Sequence, residues 1–386
     1  MTLNSSIAYD NDILCVDGID LSSIADSLGT PAYVYSLRRA LNNYQAIVDA
    51  FAQYDAHVHY SAKANANLAL LRALITAGAG VDTVSAGEIH RALTAGADPD
   101  AIVFAGVGKT PEEIRYALEQ GVGWFNVENR AECQWINDIA GELGRSEVRI
   151  ALRLNPEVTA STHPNIATGH GGAKFGLTAD AVTDILRQRI DYPNLTFQGL
   201  HIHIGSQLSE ISATREAVQH ALAIMRPFPE LRTLNIGGGI PAHYHAGQSL
   251  PSAAAFASAL SGLVDDYTLL LEPGRSIIAD AGILITRLLY IKEQGGQRFY
   301  IVDASMSELM RPALYQARHD IVPLRAHPGD LQRVQVVGPV CETTDVLGQD
   351  VMLPPMQPGD RLAVLTTGAY GMVMANNYNA RTRPPE

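Results

Sequence analysis

Cysteine is scarce in this chain: Cys15, Cys133 and Cys341 among 386 residues, far apart and without CxxC spacing. An odd, scattered set excludes a disulfide framework and a cysteine-based zinc site, and suits reduced thiols in a cytoplasm. Basic residues are also under-represented, 28 against 40 acidic, for a formal net charge of −12. That balance argues against nucleic acid or an anionic membrane surface as a partner, although a local basic pocket could still take a small anion. Uncharged apolar runs of membrane-spanning length are absent. The opening "MTLNSSIAYDND" has no basic stretch followed by an apolar core, so no secretory signal is expected. Low-complexity linkers and short-period repeats are missing too. A soluble, cytoplasmic protein is expected, and its length points to two domains.

What is present is a regular alternation. Between residues 57 and 274, short apolar stretches recur: "HVHYSA" (57–62), "GVDTVS" (80–85), "IVFAG" (102–106), "WFNVE" (124–128), "VRIALRLN" (148–155), "FQGLHIHIG" (197–205), "LRTLNIGG" (231–238) and "YTLLLEPG" (267–274). Amphipathic helical patterns separate them, such as "PEEIRYALEQG" with proline in its first turn and "RAECQWINDIAGELG" with glycine at its end. Eight strands with helix-length crossovers predict a (β/α)8 barrel. The flanks are strand-rich: "GILITRLLYIKEQ", "QRFYIVDA", "RVQVVGPVCE" and "DRLAVLTT" follow the barrel, and "ILCVDGIDL" near the start resembles a hairpin. The expected fold is α/β: a barrel over residues 31–279, and a β domain built from 1–30 and 280–386.

In such a barrel, function gathers at the C-terminal ends of the strands. Lys63, in "HYSAKANANLALL", closes the first strand. Taken alone it could be a lysine that snorkels to solvent, or an amine kept for Schiff-base chemistry. "NIGGG" closes the seventh strand, where Gly237, Gly238 and Gly239 could bring backbone N–H groups close to an anion. Arg275, in "EPGR" at the end of the eighth, could add charge. Barrels often bind phosphate after strands seven and eight. A phosphate site opposite a Schiff-base lysine points to pyridoxal 5′-phosphate (PLP). Glu272 fits beside the pyridine nitrogen, where a carboxylate keeps the ring protonated and a better electron sink. An arginine there would suit racemisation; a glutamate suits decarboxylation. His201 and His203 alternate near the end of the sixth strand and share a face. Their His-x-His spacing also fits a metal-dependent hydrolase, but the eighth strand does not end in a further ligand of that kind.

These motifs together are similar to the fold-type III PLP-dependent amino-acid decarboxylases, the alanine-racemase-like barrel group that includes the ornithine, arginine and diaminopimelate decarboxylases. The resemblance spans residues 30 to 386 and is carried by "YSAKANAN", "VDTVSAGE", "KFGL", "GLHIHIGSQ", "NIGGGIP", "EPGRSI", "RPALY", "GPVCETTD" and "GAYG". Within the group the diaminopimelate branch is the most similar. The resemblance implies that Lys63 holds PLP, that His203 stacks on its ring, and that Glu272 pairs with the pyridine nitrogen. It further implies that Ser206, Gly239, the backbone at Gly274 and Arg275, and Tyr370 hold the phosphate, with Asp82 close by. Cys341 and Glu342 would reach the active site of the other subunit of a homodimer, Cys341 as a proton donor.

Substrate choice, on the same resemblance, rests on "SELMRPALY" (307–315). Diamine-forming members need an acidic group to hold a distal amine; the diaminopimelate branch carries an arginine in "RPALY". Arg311 offers the planar fork that a carboxylate requires. Tyr315 would share that carboxylate, Glu342 would take the distal ammonium, and Arg275 and Tyr370 would contribute as well. The implied reaction converts meso-diaminopimelate to L-lysine and carbon dioxide. Ala167, Thr343 and Thr344 depart from the residues common in relatives. A sibling decarboxylase acting on another amino acid remains the alternative. A PLP-binding protein without catalysis is opposed by the C-terminal β region.

Overall fold

Chain reversal at Asp17-Gly18 begins the fold, because both residues take positive φ (53° and 84°), as a tight two-residue hairpin demands. The computed structural model containing it describes residues 3–158, 168–169 and 172–386. Ala167 lies outside the described residues. Two units divide the chain: Met1–Asn42 with Ala242–Ser249 and Ser276–Glu386, and Asn43–Pro241 with Leu250–Arg275.

The first unit opens with an antiparallel sheet of β1 (Ile7–Asp10), β2 (Ile13–Val16) and β3 (Ile19–Asp20). The expected hairpin is therefore β2 and β3; β1 was not foreseen. β4 (Ala32–Tyr35) follows as a separate short strand.

The second unit is a closed barrel of eight parallel strands: β5 (Ala56–Ser61), β6 (Gly80–Thr83), β7 (Ile102–Phe104), β8 (Trp124–Val127), β9 (Val148–Leu154), β10 (Leu195–Ile202), β11 (Thr233–Asn235) and β12 (Thr268–Leu271). All eight coincide with the apolar stretches in the sequence. β12 pairs with β5 and closes the ring, with Leu269 beside Ala56. Local chemistry sets the crossovers. Helix Pro111–Gln120 starts at Thr110, whose side chain and that of Glu113 form a capping box, and stops at Gly121 in the left-handed conformation. Helix Arg130–Glu142 is capped by Asn129. Strand register carries the functional side chains: Ser61 lies opposite Asp82, and His201 opposite Asn235.

Returning to the first unit, β13 (Gly282–Gln294) is its central strand, flanked by β14 (Gln297–Val302), β15 (Ile321–Pro323), β16 (Gln332–Val337), β17 (Val346–Leu353) and β18 (Arg361–Val364). The order is β15-β18-β13-β14-β16-β17, and β4 pairs with β13. N-terminal strands thus join the C-terminal sheet. Ile7, Leu14 and Val16 pack in one core with Ile283, Ile285, Leu324 and Leu365.

Candidate functional site at the barrel strand ends

Lys63 lies one residue beyond the foreseen strand, in the single 3-10 turn Ala62–Ala64, where Ala62 and Ala64 are fully buried and fix the turn. Its sequence neighbours offer no carboxylate, but the fold supplies one from β6: Nζ is 3.3 Å from Asp82 Oδ2. Ser61 Oγ donates to the same oxygen at 2.5 Å. Burial, reinforced by the charge of Glu272, pushes the Asp82 carboxyl up, against the opposing pull of Lys63. Asp82 Oδ1 is buried without a hydrogen-bond partner in the structure.

Glu272 follows β12 and is nearly inaccessible, at 5% exposure. Oε1 accepts from Asn126 Nδ2 at 2.8 Å and from Asn235 Nδ2 at 2.7 Å, while Oε2 is 3.3 Å from His201 Nε2. Burial alone would raise its pKa. His201, Lys63 and the Asn235 amide outweigh burial and hold the carboxyl well below the usual carboxylate range. Trp124 Nε1 donates to Asn126 Oδ1 at 3.2 Å and orients that amide. His201 is thus engaged with Glu272. Among the described residues no group of three or more His, Cys, Asp or Glu side chains is arranged to hold a metal ion.

His203 Nδ1 accepts from Gly238 N–H at 3.2 Å, so the ring proton resides on Nε2. Desolvation, then the charges of Lys63 and Arg153, push the His203 pKa well below that of a free imidazole. The ring is neutral, although its edge stays partly exposed.

The glycine loop is shaped by these contacts. Gly237 has φ of 67°, and a Cβ there would meet His203 Nδ1 at 2.5 Å, so only glycine fits. Gly237 N donates to Asn235 Oδ1 at 2.9 Å. With Gly237 and Gly238 donating inward, Gly239 N is the glycine amide left as a candidate anion donor. Arg275, itself buried, donates from Nε to Ser206 Oγ at 3.0 Å and places a charged fork beside the hydroxyl. Gly274 is a close approach: a Cβ there would lie 2.9 Å from both Ala64 Cβ and Ser61 Cβ.

The other lysines of the barrel unit are differently used. Lys109 is buried and donates to Gly106 O, to Asn126 O and, at 2.5 Å, to Glu132 Oε1. Lys174 is exposed and lies over the Phe175 ring.

The barrel unit thus brings together Lys63, Asp82, His203, Ser206, Gly237, Gly238, Gly239, Glu272, Gly274 and Arg275. The remaining expected site residues belong to the β unit. Arg311 and Tyr315 begin and end helix Arg311–Tyr315. Arg311 is buried, with Nη1 2.8 Å from His319 Nε2. Cys341 is an exposed free thiol rather than an inert buried one, and Glu342 accepts from Tyr378 Oη at 2.6 Å. Tyr370 takes a left-handed φ of 56°. Sequence reasoning missed Asn126, Asn235, His319 and Tyr244. The two asparagines carry a signal, as polar residues inside short apolar barrel strands; His319 and Tyr244 carry none.

Residues 36–279 match the family model for the pyridoxal-binding domain of the pyridoxal-dependent decarboxylases. A diaminopimelate decarboxylase of Vibrio cholerae is 42% identical over 97% of this chain and 90% of its own. Two solved structures of diaminopimelate decarboxylases complexed with L-lysine superpose closely. The M. jannaschii enzyme has a TM-score of 0.93 at 36% identity, covering 99% of this chain and 92% of its own. The Helicobacter pylori enzyme has a TM-score of 0.89 at 38% identity, covering 95% and 93%. With a family model matching the barrel and relatives aligned almost end to end, this chain belongs to the pyridoxal-dependent decarboxylases.

Proposed function

We propose that this chain decarboxylates meso-2,6-diaminopimelate at one stereocentre, releasing carbon dioxide and L-lysine. The observation that carries the reading is Glu272: a buried carboxylate kept anionic by His201 and two asparagine amides, in the same cluster as Lys63. The residues suit PLP chemically. Lys63 offers an amine for its aldehyde, the neutral His203 ring a stacking face, and Glu272 an anion for a ring N–H. Gly239 N, Ser206 and Arg275 supply donors for a phosphate, and Asp82 Oδ1 is a buried acceptor still without a partner. A side chain on the glycine loop would close the cradle.

PLP, when bound, supplies the sink for the electrons of the breaking bond between Cα and the carboxylate. The chain's own groups do the rest. Glu272 holds the ring proton in place because its oxygens are immobilised by three partners. Asp82 steadies the Lys63 ammonium before the amine is needed. Cys341 Sγ–H would deliver the proton that replaces the lost carboxylate at Cα. Arg311 and Tyr315 would bind the distal carboxylate, Glu342 the distal ammonium, with Arg275 and Tyr370 in support. We read residues 31–279 as the cofactor domain, 1–30 with 280–386 as the second domain, and the working form as a cytoplasmic homodimer with shared sites.

The test is product identification. Protein with added PLP, given meso-diaminopimelate, ornithine, lysine and arginine separately, should yield lysine from the first and little diamine from the others. Preference for ornithine or lysine would overturn the substrate and favour a sibling decarboxylase.

A further inference from the structure

The guanidinium of Arg311 is held by groups that carry no charge. Arg311 can only donate, so the 2.8 Å contact from Nη1 requires a lone pair on His319 Nε2. The imidazole proton is then on Nδ1, which donates to Leu365 O at 2.9 Å. His319 is clamped at both nitrogens as one neutral tautomer, and it is almost completely buried. The Tyr244 ring lies 4.2 Å from Arg311 Cζ and meets the His319 ring edge-on, centroids 5.3 Å apart at 89°. All these groups belong to the β unit.

A carboxylate in place of His319 would orient Arg311 equally well, but it would also neutralise the guanidinium and compete with an incoming anion. A neutral imidazole and an aromatic face fix direction and leave the charge available. We infer that His319 and Tyr244 are positioning residues: a buried bracket that aims Arg311 at the distal carboxylate of the substrate and thereby sets specificity. The inference rests on the reading of Arg311 given under the proposed function.

The experiment uses the PLP-loaded full chain with meso-diaminopimelate and four variants. His319→Gln keeps an acceptor where Nε2 was. His319→Asn keeps a donor where Nδ1 was and loses that acceptor. Arg311→Ala, and Arg311→Ala combined with His319→Asn, complete the set. His319→Asn should raise KM by about 10- to 100-fold, the range for losing one hydrogen bond to a charged group. Its kcat should stay within about threefold of wild type, the mark of lost binding rather than lost chemistry. His319→Gln should restore most of the affinity. The double variant should be no worse than Arg311→Ala, because the bracket acts only through Arg311. If Arg311→Ala leaves KM unchanged, the reading of Arg311 itself fails. If Arg311→Ala raises KM while His319→Asn does not, the bracket alone is overturned. Equal losses in the Asn and Gln variants that add to the Arg311→Ala loss would show a merely structural histidine and also overturn it. Should His319→Asn not fold, Tyr244→Leu carries the same test: a raised KM that does not add to Arg311→Ala supports the bracket, and an unchanged KM refutes it.

Discussion

A carboxylate with three fixed partners can be neutralised without being moved, which makes Glu272 the most informative single residue. In Glu272→Gln, the amide oxygen can keep accepting from Asn126 and Asn235, while its NH2 faces His201, whose imidazole can switch tautomer. Packing should survive, and cofactor content read from its absorbance should stay near wild type. Turnover should fall by about 100-fold or more, as expected when preorganised charge stabilisation is removed. Near-normal kcat in a variant that retains the cofactor would remove Glu272 from the chemistry. At this scale the sequence was legible where a residue closes a barrel strand, as Lys63 and Glu272 do. It was illegible where a partner comes from a distant strand. Asn126 and Asn235 converge on Glu272 only because β8, β11 and β12 share one rim, and no spacing along the chain records that convergence.

The barrel strands were readable because both of their faces are buried, so each is a short apolar run bounded by helical periodicity. The strands that escaped notice lack such a pattern. β17 is interrupted by Gly348 and by Asp350 at φ 51°, β15 ends in Pro323, and β1 and β4 have four residues each. Helix Ala86–Thr94 shows how an element's start can hold an energetic conflict. Ser85 Oγ accepts from Glu88 N, and Glu88 Oε2 returns to accept from Val84 N at 2.8 Å. A helix N-terminus favours a carboxylate anion. Burial prevails even so, and with the charge of Asp82 it raises the Glu88 carboxyl to about 7 despite the Val84 bond and Lys63. The folded state then binds a proton that the unfolded state has already released. This contribution is fully present below the unfolded value of 4.5 and is lost as pH rises towards 7. Its full size is about 2–3 kcal/mol from the shift at about 1.4 kcal/mol per unit. Glu88→Gln keeps the acceptor for Val84 and removes the titration. Thermal midpoints of the two proteins should converge near pH 5, and the variant should be the more stable near pH 8. Midpoint curves that stay parallel across that window would contradict the assignment.

For the whole molecule, the groups assigned to protonation and to the distal ammonium pose a problem that one chain does not solve. Cys341 and Glu342 are both exposed in the isolated chain. A thiol that must protonate one carbon atom needs a dry, ordered setting, and solvent on its surface works against both conditions. Under the proposed homodimer, a second copy covers these residues and each site draws Lys63 from one chain and Cys341 from the other. Mixing Lys63→Ala protein with Cys341→Ala protein separates this arrangement from a self-contained site. In a mixed dimer one site loses both groups and the other keeps both. With random exchange of equal amounts, half of the dimers are mixed and recovered activity should approach about a quarter of wild type, the fraction of intact sites in a two-fold assembly. Subunit exchange is verified separately by co-purifying differently tagged chains. A site built within one chain predicts no recovery however completely the subunits exchange. Demonstrated exchange without recovered turnover would therefore return Cys341 to its own chain's site and remove the reason for sharing.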